Sequence, residues 1–182
     1  MELVTDRVRI DALTRADAAA LFAYRRHPDV TRFQAWCPEA VADAHAFLAA
    51  NATVRWGDPD AWLQLAVRSR ETGALVGDLG VHFLPGDGSQ LELGFTIDPA
   101  HQRQGYGLAA VRALLDHAFT TRDTHRVTAS VDPENAASLA LLRRVGMRQE
   151  AHFRQSLLWR GEWVDDLVFA LLRAEWPHDL GR

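Results

Sequence analysis

Leu91-Glu92-Leu93-Gly94-Phe95-Thr96-Ile97 alternates like a strand, Asp98-Pro99 interrupts it, and a helical pattern opens on Gly105-Tyr106-Gly107-Leu108. No other stretch constrains the fold as tightly. A strand, seven loop residues (98–104) and a helix starting on two glycines must follow in that order. Glycines there let backbone N–H groups approach a ligand, and the helix N-terminus favours negative charge. The segment reads as a cradle for phosphate or pyrophosphate, with the amides from about Arg103 to Leu108 turned toward it. Gly105 and Gly107 would omit the Cβ atoms that such a contact forbids. An ordinary loop-to-helix turn would also carry two glycines, so the surroundings must decide.

Those surroundings form a regular order. Val8 to Asp11 is a short strand. Thr14, with Asp17 three positions on, starts a helix that runs to about Arg26 and stops at Pro28. An aromatic connector, Phe33 to Trp36, leads to a second helix opened by Pro38 and running from Glu39 to about Arg55. The period then changes. Ala61 to Arg68, Leu75 to Phe83 and Gln90 to Ile97 read as an antiparallel meander with turns at Glu71-Thr72-Gly73 and Pro85 to Ser89. A helix spans Tyr106 to Thr121 and a strand spans Arg126 to Val131. Asp132 and Pro133 open a further helix ending near Gly146. Arg148 to Trp159 and Val164 to Leu172 close the chain as a hairpin around Arg160-Gly161-Glu162. Hairpins on both sides of a β-α-β unit predict a mixed sheet.

A length of 182 residues predicts a single domain spanning 1–182. No apolar run reaches ~18 residues, so no membrane partner is expected, and the first residues lack the pattern of a signal peptide. The lone Cys37 excludes an internal disulfide framework and a cysteine zinc site; a reducing cytoplasm and no metal are the expectation. The net charge of −4 gives no general pull toward nucleic acid. Residues 1–99 carry 9 Arg against 14 acids, whereas residues 100–182 carry 11 Arg against 10 acids. A cationic ligand would therefore favour the first part, unless the acids are scattered on solvated surface. Every one of the 20 basic residues is Arg, so the N-terminus is the only primary amine.

With Gln102-x-x-Gly105-x-Gly107 before one helix and Asn135-x-x-Ser138 on the next, the chain resembles the GNAT superfamily of N-acetyltransferases. Glu92-Leu93-Gly94-Phe95, Asn135 through Arg144 and Arg160-Gly161-Glu162-Trp163-Val164-Asp165-Asp166 resemble the branch of ribosomal-protein N-terminal acetyltransferases. The resemblance covers roughly residues 7–176. It implies an α/β fold of the α+β type: a mixed, mostly antiparallel sheet of about seven strands, flanked by helices and splayed between the fourth and fifth strands.

It also implies acetyl-CoA as co-substrate and a primary amine as acceptor, either a protein N-terminus or a small molecule such as an aminoglycoside. Gln102, Arg103, Gln104, Gly105, Tyr106, Gly107 and Leu108 would hold the diphosphate. The backbone of Phe95, Thr96 and Ile97 would pair with the pantetheine arm as a pseudo-strand. Asn135 would bind the pantetheine amides, and Ser138 would donate to the thioester sulfur or departing thiolate. Alternatively, Asn135 and Ser138 simply satisfy helix-end amides. The family often places Tyr seven residues after the Asn; here that position is Leu142. A thiol leaves tolerably well without a dedicated acid, with pKa ≈ 8.5 for a comparable Cys.

The implied chemistry is direct attack of the amine through a tetrahedral intermediate, with a backbone amide of the Phe95–Ile97 strand holding the oxyanion. An α-amine (pKa ≈ 7.7–8.0) is roughly 10–15% neutral near pH 7 and needs modest base help, through water. Glu92 is the first base candidate, since it alternates with Leu91 and Leu93 and precedes the cofactor stretch. His82 and His152 follow as weaker candidates. Phe33, Trp36 and His82 fall where the acceptor pocket would be shaped, although Phe33 and Trp36 would serve equally as core. A homodimer would be ordinary for such a chain.

Two other readings compete. A non-catalytic acyl-CoA-binding domain on the same fold would explain Leu142. A dinucleotide-binding oxidoreductase would use Gly105-x-Gly107-x-x-Ala110 and Asp132, but its glycines should follow the strand in a tight turn.

Overall fold

The computed structural model describes residues 1–177; residues 178–182 of the expected single domain lie outside the described residues. Among the described residues eight strands form one sheet: β1 (Leu3–Val4), β2 (Val8–Ala12), β3 (Trp62–Ser69), β4 (Leu75–Phe83), β5 (Gln90–Ile97), β6 (Arg126–Val131), β7 (Arg148–Trp159) and β8 (Glu162–Leu172). They lie in the order β1-β2-β3-β4-β5-β6-β8-β7. Every pair is antiparallel except β5 and β6. The expected count of about seven misses β1, whose two residues pair with Arg9 and Ile10 and are too few to show a period.

The β5–β6 pairing ends early. It runs Gln90↔Arg126, Leu91↔Val127, Glu92↔Thr128 and then stops. The splay between the fourth and fifth expected strands is therefore present, and it opens just after Glu92.

Among the described residues five α-helices flank the sheet: α1 (Ala18–Arg25), α2 (Pro28–Thr31), α3 (Val41–Asn51), α4 (Tyr106–Asp116) and α5 (Ala136–Arg144). Alternation sends Leu91 and Leu93 of β5, Val127 and Ala129 of β6, and Phe169 of β8 into one core with Val111, Leu114 and Leu115 of α4. Leu21 and Tyr24 of α1, Ala44 and Leu48 of α3, and Ala66 of β3 form a second core.

Helix ends shift for identifiable reasons. Asp17 accepts from the N–H and Oγ1 of Thr14 at 2.7 and 2.9 Å, as expected, but only one tight turn follows before α1. Pro28 opens the single turn of α2 with His27 as its cap, as well as ending the segment before it. Pro38 does not open α3. The Asp43 carboxylate takes the N–H groups of Glu39 and Ala40 at 2.8 and 2.9 Å and sets the start at Val41. Asn51 ends α3 by exchanging two hydrogen bonds with the Gln64 backbone on β3, at 2.9 and 3.0 Å. The expected helix 106–121 is α-helical only to Asp116 and finishes in a wide turn, His117–Thr121.

Candidate active site

Where β5 and β6 part, backbone groups lose their partners. The β4 side of β5 stays paired from Leu91 to Ile97, while the β6 side is unpaired beyond Glu92. A cavity of about 180 Å³ fills the gap. Gly94 and Phe95 form one wall and Ser130 to Asp132 another; Asn135, Ser138 and Leu142 close it from α5. Phe95 and Ile97 are half-buried beside this edge, whereas Thr96 points into the protein and is 6% exposed.

The loop beyond Ile97 is braced by its own polar side chains. Asp98 accepts from the Ala100 N–H at 3.0 Å, and Gln104 Nε2 donates to the Ala100 carbonyl at 3.1 Å. Gln102 Nε2 donates to the Ile97 carbonyl at 3.1 Å, and Arg7 Nη1 donates to the Gln104 carbonyl at 3.0 Å. Arg103 and Gly105 take left-handed conformations, with φ of 60° and 83°. The first helical bond of α4 is Ala109 N–H to the Gly105 carbonyl, at 3.0 Å. Among the described residues, the N–H groups from Arg103 to Leu108 have no acceptor. Six consecutive free donors stand at the positive end of an 11-residue helix, an arrangement that favours negative charge. Tyr106 is half-buried and its hydroxyl meets Ser69 Oγ at 3.3 Å.

The two glycines have different tasks. Gly105 is required by its backbone conformation, and a Cβ there would make only ordinary contact with Arg7, at 3.6 Å. Gly107 is buried, and its missing Cβ faces inward. A Cβ would stand 2.9 Å from Leu141 Cδ1 and 3.3 Å from Ile97 Cγ1. Close packing of α4 on α5 and β5 therefore explains Gly107, rather than ligand approach.

Asp132 does not cap α5, contrary to expectation. Its Oδ1 accepts the Glu134 N–H at 2.7 Å and shapes the turn through Pro133. Asn135 is the cap, and its Oδ1 accepts the Ser138 N–H at 3.1 Å. This satisfies the helix end, and both Asn135 and Ser138 line the cavity. The helix-end role of Asn135 uses its amide oxygen and leaves the amide nitrogen uncommitted. Leu142 is 1% exposed and brings no hydroxyl.

Glu92 occupies the last paired position before the splay, facing His82 on β4 and Thr128 on β6. Its side chain is 31% exposed, and His82 Nδ1 lies 3.9 Å from Oε2. Burial pushes the Glu92 carboxyl above its ordinary value; His82 opposes this and Asp166 adds to it. A raised carboxylate is a stronger base. Glu92 does not line the cavity itself; it stands one same-face step from Gly94, which does. His82 is fixed from the other side, with Nε2 3.3 Å from Asp60 Oδ1 and its ring stacked on Trp62 at 5.1 Å.

Of the expected acceptor residues, Phe33 lines the cavity. Trp36 instead stacks on Phe47 at 4.3 Å and packs against the second core. His152 pairs with Asp165 at 2.6 Å. The structure adds wall residues to which the sequence analysis gave no site role: Gln34, Ser130, Asp165 and Asp166. Asp166 accepts from Ser130 Oγ at 2.6 Å. The one available signal was two consecutive acids inside the otherwise apolar run Val164 to Leu172. Among the described residues no group of three His, Cys, Asp or Glu is placed to hold a metal ion, and no helix is long and apolar enough to cross a membrane.

Comparison with known proteins accords with this geometry. The model of the acetyltransferase (GNAT) domain matches residues 7–148. The uncharacterized N-acetyltransferase YnaD of Bacillus subtilis is 28% identical over 179 residues, covering 97% of this chain and 99% of that protein. The ribosomal protein uS5-alanine N-acetyltransferase of Escherichia coli is 32% identical over 84 residues, 46% of this chain and 43% of that one. The solved structure of Mycobacterium smegmatis RimJ in complex with CoA-disulfide superposes with a TM-score of 0.78 at 26% identity, covering 94% of this chain and 84% of that one.

Proposed function

Since the chain belongs to the GNAT acetyltransferase family, we propose that it moves an acetyl group from acetyl-CoA to the primary amine of a cationic acceptor bound in the cavity beside Glu92. The six free amides from Arg103 to Leu108 carry this reading. They suit a diphosphate, and the unpaired edge of β5 suits an extended arm bearing amides. When bound, acetyl-CoA supplies an acyl group activated as a thioester.

The chain's own residues then have separable tasks. Gly105 lets the loop turn so that its amides converge. Phe95 offers its backbone N–H and carbonyl and Ile97 its N–H along the free edge, and one such N–H holds charge developing on the acyl oxygen. Asn135 Nδ2 is left to donate, because its Oδ1 is spent on Ser138 N–H. Ser138 Oγ is the hydroxyl on that wall that would protonate a departing thiolate, given Leu142 nearby. Glu92, raised by burial, takes the proton of the incoming amine through a bridging water. Asp165, Asp166 and Glu92 give the region a negative character that draws an ammonium group in. A single free cysteine, Cys37, suits a reducing compartment such as the cytoplasm.

The similarity to an acetyltransferase of a ribosomal protein supports a polypeptide α-amine as acceptor. Such an amine needs less base strength than a Lys side chain, by about 2.5 pKa units. The test is release of CoA from acetyl-CoA with a panel of peptides and amines. Turnover with a peptide N-terminus supports the reading. Tight acetyl-CoA binding without turnover on any amine would replace it with a non-catalytic acyl-CoA-binding domain.

A further inference from the structure

Gln34 lies between α2 and α3 and shares the cavity wall with Ser138 and Asp166. Its side-chain amide is held in one orientation. Oε1 accepts a hydrogen bond from Arg25 Nη1 at 2.9 Å. A guanidinium only donates, so the oxygen must face Arg25. Arg25 cannot swing away: it is 6% exposed, ion-paired with Asp78 and stacked over the Trp36 ring at 5.8 Å. Asp78 is 0% exposed and also accepts from the Tyr24 hydroxyl at 2.7 Å. The backbone of Gln34 is occupied too, since its N–H donates to Thr31 at 3.4 Å and its carbonyl accepts from Cys37 Sγ at 3.5 Å. What remains for a ligand is Nε2, with two N–H groups and no lone pair to offer. Asp165 and Asp166 line the same cavity.

A complementary ligand has two unlike ends: an amine toward the carboxylates and an oxygen lone pair toward Gln34. We infer, resting on the transferase reading above, that Gln34 Nε2 binds an acceptor oxygen on the amine substrate and so selects amines with an oxygen close to the nitrogen. A peptide N-terminus has such an oxygen in its first carbonyl, and an amino sugar has one in a neighbouring hydroxyl. An alkyl polyamine has none and leaves the Gln34 donor unsatisfied. Arg25 is a positioning residue for this contact.

The experiment compares CoA release with trialanine amide, glucosamine and putrescine, using the wild-type chain, Gln34→Leu and Gln34→Glu. Wild type should favour an oxygen-bearing acceptor over putrescine by tenfold or more in kcat/KM. Gln34→Leu removes the donor and should lower kcat/KM for that acceptor about tenfold while raising it for putrescine, which no longer meets an unpaired donor. Gln34→Glu keeps an oxygen for Arg25 but has no donor, so it should lose as much on the oxygen-bearing acceptor and gain on putrescine. Whichever of trialanine amide and glucosamine shows both losses names the source of the oxygen. Wild-type activity on putrescine equal to that on the others would overturn the inference. So would full activity in Gln34→Glu beside a loss in Gln34→Leu, since the amide would then serve only to fasten Arg25. Release with putrescine alone overturns the inference and leaves the transferase reading standing, whereas no release with any of the three overturns both.

Discussion

Gly107 on α4 and Leu141 on α5 meet so closely that a single added carbon on Gly107 would stand 2.9 Å from Leu141 Cδ1. That distance fixes how near the cradle helix lies to the helix carrying Asn135 and Ser138. Gly107→Ala gains helix propensity but must displace Leu141 and Ile97, at a cost of about 1–3 kcal/mol. In a Leu141→Ala background the new methyl has room. A double-mutant cycle in urea should return a coupling of about 1 kcal/mol between the two sites, with Gly107→Ala better tolerated in that truncated background than in the wild-type chain. Additive effects would show that the contact does not set the helix spacing.

On the proposed mechanism, Glu92 links activity to stability with opposite signs. Gln at this position cannot take a proton from the amine, so Glu92→Gln should lower kcat/KM by about 100-fold at pH 7. Full kcat/KM from pH 6 to 9 would remove Glu92 from the role.

The same carboxyl has its pKa raised above 4.5 by burial. Folded protein therefore holds this proton to higher pH than unfolded chain does. The contribution is favourable below the unfolded value and is lost as pH rises through the folded one. Glu92→Gln should accordingly raise the Tm at pH 7, and the gain should vanish as pH falls below about 4.5. Scanning calorimetry at pH 4 and pH 7 reads the difference; an equal shift at both values would contradict the burial account.

Asp78 and Arg25 form a pair inside the protein, joined by Tyr24. Burial disfavours the Arg25 charge, but Asp78 more than restores it and holds the guanidinium pKa above its ordinary value. Asp78→Ala leaves that charge alone and should cost about 3–5 kcal/mol in urea unfolding. Loss of under 1 kcal/mol would mean that water reaches Arg25.

Much of this architecture was legible in the chain because alternation is a clear signal over six to nine residues. β4, β5 and β6 fall where the pattern puts them, and the glycine loop sits between β5 and α4 as its order requires. The boundaries that moved are those decided by single side chains. Asp43 rather than Pro38 starts α3, and Asn135 rather than Asp132 caps α5, because each carboxylate or amide has several nearby amides to choose from. Gly107 could not be told from Gly105 by sequence, since one answers to a distant neighbour in the chain, Leu141, and the other to its own φ. Gln34, Asp165 and Asp166 reach the cavity only through tertiary placement, and no local period marks them.

The most direct test of the account is calorimetric titration with acetyl-CoA, using NADH as the control ligand. One acetyl-CoA should bind per chain with micromolar affinity, and binding should be lost when Gly105 is replaced by Val, because the left-handed turn that converges the amides can no longer form. No heat with acetyl-CoA, or binding of NADH in its place, would contradict the cradle's assignment and the acetyl transfer built on it.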